Sequence, residues 1–380
     1  MRIVIAAEYY PRRADPVLGI WAHRQAVAAR DAGAEVRVLV LHRLVPPRRA
    51  VRERDLGALA APLRQPPRET RDGLSVTYVP FVSPAFGPRA VAGWGAWAAP
   101  PLGVALRALR RRFAFDLVHA HYAVPTGDAV LRTRTTAPLV VSVHGGDVLW
   151  TARRSERGRQ AVMRSLTAAE LVLANSRGTA SRSQALGARA TRVVHLGTDL
   201  PARRREPHPE PTVVTVGHLV ERKRHADVLR ALPTRVRYVI VGDGPERPAL
   251  ETLARQLGRA QRTVFTGALP HDAALAEARR AHAFVLPSVD EAFGVAYVEA
   301  MAGWLPAIGL RGEDGPEEIA AAGGGIVLTD RAGLRGAIER TLADHERLGA
   351  EARATVERAF TWEHTGRQTL AAYEEALAKR

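Results

Sequence analysis

The stretch "LPSVDEAFGVAYVEAMAGWLPAIG" (286–309) reads as strand, turn, helix and strand in one pass. A strand ends at Pro287-Ser288, and a polar turn then carries Glu291. Phe293-Gly294 lead into a helix that contains Glu299. The start of that helix, at Gly294-Val295, offers unpaired N–H groups and the positive end of a dipole, a natural seat for a phosphate. Glycine there lets a ligand approach the backbone closely. Eight residues along a helix rise roughly 12 Å at about 1.5 Å each. Paired glycosidase carboxylates sit about 5–9.5 Å apart. Glu291 and Glu299 therefore suit two separate roles better than one acid/base dyad, although Glu291 precedes the helix and a dyad stays open. The plain alternative is a turn residue and a carboxylate within a helix network.

The same alternation extends on both sides. Downstream of a proline-rich break, "PARRREPHPEP" (201–211), short Val/Ile/Leu runs recur at "TVVTVG" (212–217), "VRYVIVG" (236–242), "RTVFTG" (262–267), "AFVLPS" (283–288) and "PAIGL" (306–310). Upstream they recur at 2–7, 35–41, 74–79, 115–120, 138–143, 170–174 and 191–196. Helix-like stretches lie between, as in "GIWAHRQAVAARDAG" (19–33). Such alternation predicts parallel sheets covered by helices on both faces. The fold class is α/β, with two doubly wound domains facing a central cleft: 1–200, then 201–361, with the last helix (362–380) returning to the first. Ligands of such folds bind outside the carboxyl ends of the strands.

Composition fits a soluble globular chain, at 46% apolar and 25% charged residues. The absence of cysteine excludes disulfides, thiolate metal sites and cysteine nucleophiles. "MRIVIAA" is too short for a secretory signal and reads as a buried strand, so a cytoplasmic location is expected. "AVAGWGAWAAPPLGVAL" (90–106) is uncharged, but Pro100-Pro101 and three glycines argue against a membrane span. Residues 1–200 carry 30 basic and 14 acidic side chains, a net +16, whereas 201–380 carry 25 of each. The excess points to an anionic partner for the first half, a membrane surface or a diphosphate-bearing substrate. An arginine-rich composition is the bland reading, but it does not explain why the halves differ. Trp94, Trp97 and "RALRRR" (107–112) suit either a membrane interface or a helix with a basic outer face. Residues 44–72, proline-rich and basic, read as a solvated loop or as a mobile one over an acceptor.

Lys223, in "TVGHLVERKRHADVLRAL" (215–232), is one of two lysines among 55 basic residues. A compact ammonium suits a shifting phosphate charge better than the planar arginine fork.

Together these segments resemble the retaining glycosyltransferases of family 4 (GT-B fold, glycosyl transferases group 1). "PSVDEAFGVAYVEAMA" resembles the family's Glu-x7-Glu signature. "VGHLVERKRHADVLRAL" resembles the phosphate-binding opening of its second domain. "FDLVHAHYAVPTGDAV", "VVSVHGGDVLW" and "VVHLGTDL" are similar to its acceptor-side domain, and "FTWEHTGRQTLAAYEEAL" to its closing helix. The resemblance implies that Glu291 contacts donor-sugar hydroxyls and that Glu299 binds the nucleotide ribose. Phe293, Gly294 and Val295 would meet the donor phosphates through backbone amides. Lys223 would bind phosphate, Leu269 would border the base and Gly19 would lie near the diphosphate. Glu318 is matched to a carboxylate approaching the phosphates, with a helix-capping turn as its plain alternative. His121 would stand near the reacting carbon and acceptor, with His144 and Asp147 of "HGGD" beside it. The implied co-substrate is a nucleotide sugar, UDP-linked by preference, with a hydroxyl acceptor and no metal. The sequence likewise holds no HExxH pair.

Two departures stand out. His218 occupies the place of an expected arginine, which Arg222 can replace. Trp304 stands where glycine is usual, so that either Trp304 or Gly303 must make the turn. A nucleotide-sugar epimerase of the same fold is the competing enzyme reading. A nucleic-acid-binding protein is the non-enzyme reading, but no RNA motif or reading helix accompanies the charge.

Overall fold

The structure, a computed structural model, describes residues 1–46, 48–83 and 90–379. Met1–His195 together with Trp362–Arg380 form one compact unit, and Leu196–Thr361 form a second.

The first unit is built on an eight-stranded sheet. Its strands are β1 (Arg2–Ala7), β2 (Glu35–Arg43), β3 (Arg68–Arg71), β4 (Leu74–Phe81), β5 (Leu117–His121), β6 (Leu139–Val143), β7 (Leu171–Ala174) and β8 (Thr191–Val193). Their spatial order is β3-β4-β2-β1-β5-β6-β7-β8. All pair in parallel except β3, which runs antiparallel to β4 at the edge. β1, β5, β6 and β7 are buried on both faces, which explains their continuous apolar runs. Helices α1 (Ile20–Asp31), α2 (Val91–Arg110), α3 (Glu156–Ala168) and α4 (Arg177–Ala185) connect them. The strand order reverses between β1 and β5, where Ala7 pairs with His121.

The second unit carries strands β9 (Thr212–Val216), β10 (Arg237–Val241), β11 (Thr263–Gly267), β12 (Ala283–Leu286), β13 (Ala307–Leu310) and β14 (Ile326–Thr329). All are parallel, in the order β11-β10-β9-β12-β13-β14, the doubly wound dinucleotide-fold arrangement. Its switch point lies between β9 and β12. Helices α5 (His225–Ala231), α6 (His271–Ala278), α7 (Val295–Ala302), α8 (Asp314–Ala322) and α9 (His345–Ala359) cover it.

The final helix, α10 (Trp362–Ala378), packs against α1 of the first unit. Gly366 permits this, because a Cβ there would overlap the carbonyl of Ala28. Gln25 donates to Thr369 Oγ1 at 3.1 Å, and the Tyr373 hydroxyl meets His119 Nδ1 at 2.8 Å.

Several details differ from the sequence reading. The break between units falls at 195/196 rather than 200/201. Leu196 is buried, and Thr198 N–H donates to Phe360 O, so this segment is held by the second unit. Strands β3 and β14 were not expected. Residues 44–72 contain short helices and β3. Pro100-Pro101 do not interrupt α2, which runs through them with Ala98, Leu102 and Leu106 buried. Trp97 and Arg107 lie on its outer side, and Trp94 is stacked under Arg43 at 4.5 Å. Among the described residues no helix is long and apolar enough to cross a membrane.

Candidate functional site

In the second unit the switch point brings two loops together. The loop after β9 runs from Gly217 to a short turn at Glu221–Lys223. Glycine is needed opposite it, since a Cβ on Gly242 would overlap the Gly217 carbonyl. The loop after β12 holds Ser288 and Glu291. The backbone ties the two, with Val289 N–H donating to Arg222 O at 2.9 Å. Lys223 Nζ then reaches Glu291 Oε2 at 2.5 Å, Ser288 Oγ donates to the same oxygen at 3.0 Å, and Arg222 Nη1 lies 3.6 Å from it. Burial alone would raise the Glu291 pKa, but Lys223 and then Arg222 outweigh it and hold the carboxyl below its ordinary range. The result is a fixed carboxylate that keeps an ammonium and a guanidinium together. Arg222, not the exposed His218, is Lys223's basic neighbour on this carboxylate.

Gly294, with φ +79°, caps α7 in a left-handed conformation that excludes most other residues. The amides of Val295 and Ala296 precede the first bond of this helix, which Tyr297 N–H makes to Gly294 O at 2.9 Å. Phe293 turns its ring into the core against Phe360, and its carbonyl abuts Gly315, where a Cβ would overlap it. Glu299, on α7, lies 3.5 Å from His271 Nε2. Burial pushes its carboxyl up to about 7, with Arg279 opposing and Asp199 adding to the rise. Leu269 is half-buried two residues before His271, so Leu269 and Glu299 share this corner.

Glu318 is buried on α8. A neighbour missed in the sequence, Glu313, holds the Glu291 loop: Glu291 N–H donates to Glu313 Oε2 at 3.1 Å. Acidic residues opening a helix were the available signal. Trp304 itself takes the left-handed turn, at φ +62°, while Gly303 stays at φ −89°. Arg353 stacks over the Trp304 ring at 4.3 Å and donates to Ala302 O at 2.8 Å, clamping that turn.

In the first unit, Gly19 (φ +65°) is pressed against the backbone of Tyr9 and Tyr10, where a Cβ would overlap the Tyr9 carbonyl. His121, at the end of β5, is buried, and its Nδ1 meets His144 Nε2 at 3.0 Å with the rings stacked. Burial lowers both, His144 to about 3 and His121 well below its ordinary value, so both rings are neutral at pH 7. Among the described residues, His121 Nε2 and His144 Nδ1 have no hydrogen-bond partner. Asp147 is buried and accepts from Val124 N–H at 3.2 Å, while among the described residues its Oδ2 finds no hydrogen-bond partner. Burial pushes its carboxyl up to about 7. Beside this cluster a cavity of about 310 Å³ is lined by Tyr9, Tyr122, Trp150 and Arg154. Tyr122 and Trp150 escaped the sequence reading, although they flank the two histidine motifs. Among the described residues no group of three or more His, Asp or Glu side chains is placed to hold a metal ion.

Known proteins agree with this plan. Residues 198–358 match the family described as glycosyl transferases group 1, and residues 18–201 match glycosyltransferase family 4. The chain is 28% identical over 335 residues to the Bacillus subtilis glycosyltransferase TuaC, named for teichuronic acid biosynthesis, covering 81% of this chain and 80% of that one. It is 30% identical over 241 residues to a GDP-mannose-dependent alpha-(1-6)-phosphatidylinositol monomannoside mannosyltransferase of Mycolicibacterium smegmatis, covering 56% of this chain and 63% of that one. The structure of Anabaena HepE, solved in complex with UDP-glucose, superposes with a TM-score of 0.67 at 20% identity over the whole of both chains. With both halves matched and the doubly wound sheets in place, the chain belongs to the family 4 glycosyltransferases of GT-B fold.

Proposed function

We propose that this protein is a retaining, metal-independent glycosyltransferase that moves a sugar from a nucleotide diphosphate donor to a hydroxyl acceptor. The observation that carries the reading is the Lys223–Glu291–Arg222 cluster at the switch point of the second unit. The hardest step is the growth of negative charge on the departing diphosphate. Lys223, Arg222 and the amides at Gly294 and Val295 are fixed in advance to meet it, which is where such groups act most strongly. The bond from sugar C1 to the β-phosphate oxygen breaks, and the acceptor oxygen bonds C1 from the same face. The acceptor proton passes to the departing phosphate oxygen, so no protein nucleophile is required. Glu291, held ionised, accepts from donor-sugar hydroxyls, while Glu299 faces the ribose and Leu269 the base. Within the second unit, Glu318 is assigned to the surroundings of the phosphates, and in the first unit the Gly19 turn is the assigned phosphate-facing loop. On the acceptor side, the unpartnered Nε2 of His121 is the group suited to the incoming hydroxyl, with His144 and Asp147 fixing its loop.

The complex of HepE supports UDP as the donor base, and the mannosyltransferase keeps GDP in the comparison. TuaC and the mannosyltransferase support an acceptor in cell-surface polymer or glycolipid assembly. The net +16 of residues 1–200 is matched to an anionic membrane surface on the cytoplasmic side.

The test is a panel of UDP- and GDP-sugars with binding, hydrolysis and anomeric configuration of product all measured. One donor is expected to bind and lose its sugar with retention. Lys223→Ala should lower kcat/KM by about 10²–10³-fold, the effect of removing one prepositioned charge donor. The idea fails if no nucleotide sugar binds, and the site assignment fails if the variant turns over at the wild-type rate. An inverted product removes retention, and an epimerised donor without transfer removes the transferase.

A further inference from the structure

A second cavity in the first unit, about 490 Å³, has walls that carry Arg153, Arg154, Arg159 and Arg182 against a single acidic side chain, Glu156. Three pieces of structure converge to make it. The chain leaves a turn at Gly146–Thr151, makes one helical turn at Ala152–Arg154, and breaks at Ser155, which is extended (φ −163°, ψ 151°). It then restarts as α3, which carries Arg159, and α4 supplies Arg182 from the far side. The packing is tight at the break, since a Cβ on Gly158 would overlap the Thr151 carbonyl. Ser155 Oγ caps the restart by accepting from Gly158 N–H at 3.1 Å. Four arginines line one hollow against one carboxylate, and their planar guanidiniums offer a phosphate paired donors.

The neighbouring cavity has the opposite character. Tyr9, Tyr122 and Trp150 give it aromatic walls, and Arg154 lines both cavities while stacking on Trp150 at 5.0 Å. An aromatic hollow suited to a sugar ring thus adjoins an arginine hollow suited to an anion.

We propose that these two cavities hold an acceptor that carries a phosphate, its sugar or alcohol end against Tyr9, Tyr122 and Trp150 and its phosphate on Arg153, Arg159 and Arg182. This rests on the glycosyltransferase reading and narrows its acceptor. The phosphate can belong to a soluble sugar phosphate or to a lipid carrier, and the experiment separates them.

Wild-type protein is titrated with glucose and with glucose 1-phosphate. It is also mixed with phosphatidylcholine vesicles, plain, carrying polyprenyl phosphate, or carrying phosphatidylserine. The double variant R153Q/R159Q and the single variant R182Q, from a separate helix, are measured beside it, with circular dichroism and thermal melting as folding controls. A soluble ligand shows as glucose 1-phosphate binding at least about tenfold tighter than glucose, with the preference lost in R153Q/R159Q and reduced in R182Q. A lipid-borne phosphate shows as recruitment to the polyprenyl phosphate vesicles above the phosphatidylserine ones, lost in the same variants. Equal binding of glucose and its phosphate without vesicle preference overturns the proposal. So do wild-type behaviour in folded variants, and recruitment by any anionic vesicle alike when glucose and its phosphate also bind equally. UDP binding is followed separately in the wild type. Phosphate recognition without any nucleotide-sugar binding leaves the anion site standing and removes the glycosyltransferase reading, whereas UDP binding without phosphate preference does the reverse.

Discussion

Glu299 shows how one residue ties stability to pH. Its ordinary carboxyl value is 4.5, and burial lifts it to about 7, with Arg279 opposing the rise and His271 standing 3.5 Å away. Between those two values the folded chain binds more protons at this site than the unfolded chain. The site's contribution is therefore present below 4.5 and lost as pH rises through about 7. Asp147 moves in the same direction, so only a difference isolates Glu299. Denaturant midpoints of wild type minus those of Glu299→Gln should fall between pH 5 and 8. On the ribose role proposed for Glu299, donor affinity in the wild type should rise over the same window, because only an ionised carboxylate accepts from two hydroxyls. Parallel pH profiles in the two proteins would refute the assignment.

At the scale of elements, the turn that ends α7 is built from an unfavourable residue. A left-handed conformation costs a side-chain-bearing residue roughly 1–2 kcal/mol, and the cation–π contact with Arg353 returns about 0.5–1 kcal/mol. Trp304→Gly removes both and should change stability by no more than about 1.5 kcal/mol. Trp304→Ala keeps the strain and loses the stacking, so it should be clearly less stable than Trp304→Gly. Melting of the three proteins checks the order, and alanine at or above glycine would sink this account. The sequence marked this turn as anomalous, but only the backbone decides between Gly303 and Trp304. The central strands were readable because strands buried on both faces demand unbroken apolar runs. β14 hid behind three glycines with only four residues, and β3 ("RETR") has no apolar pattern at all, being a polar edge strand. The Asp72-Gly73 turn, with both residues at positive φ, was the available hairpin signal. Lys223 and Glu291 were each legible in the sequence as candidates. Their contact was not, because 68 residues separate them and only the strand order at the switch point joins them.

At the scale of the whole molecule, the first unit is assembled from two separate parts of the chain. Gly366→Val should displace α10 from α1, because the Ala28 backbone leaves no room for a side chain. The expected cost is about 1–3 kcal/mol, as for other overpacked sites. Proteolysis should then begin in the first unit, with the second unit left folded. Cleavage starting in the second unit would contradict this. The returning helix also has a consequence for synthesis. A ribosome makes residues 1–195 first, yet that unit still lacks α10, and with it the Tyr373 hydroxyl that partners buried His119. Every residue of the second unit is made before α10. The half translated first is thus the half completed last, and a nascent chain carries an unfinished apolar face on α1 throughout the making of its neighbour.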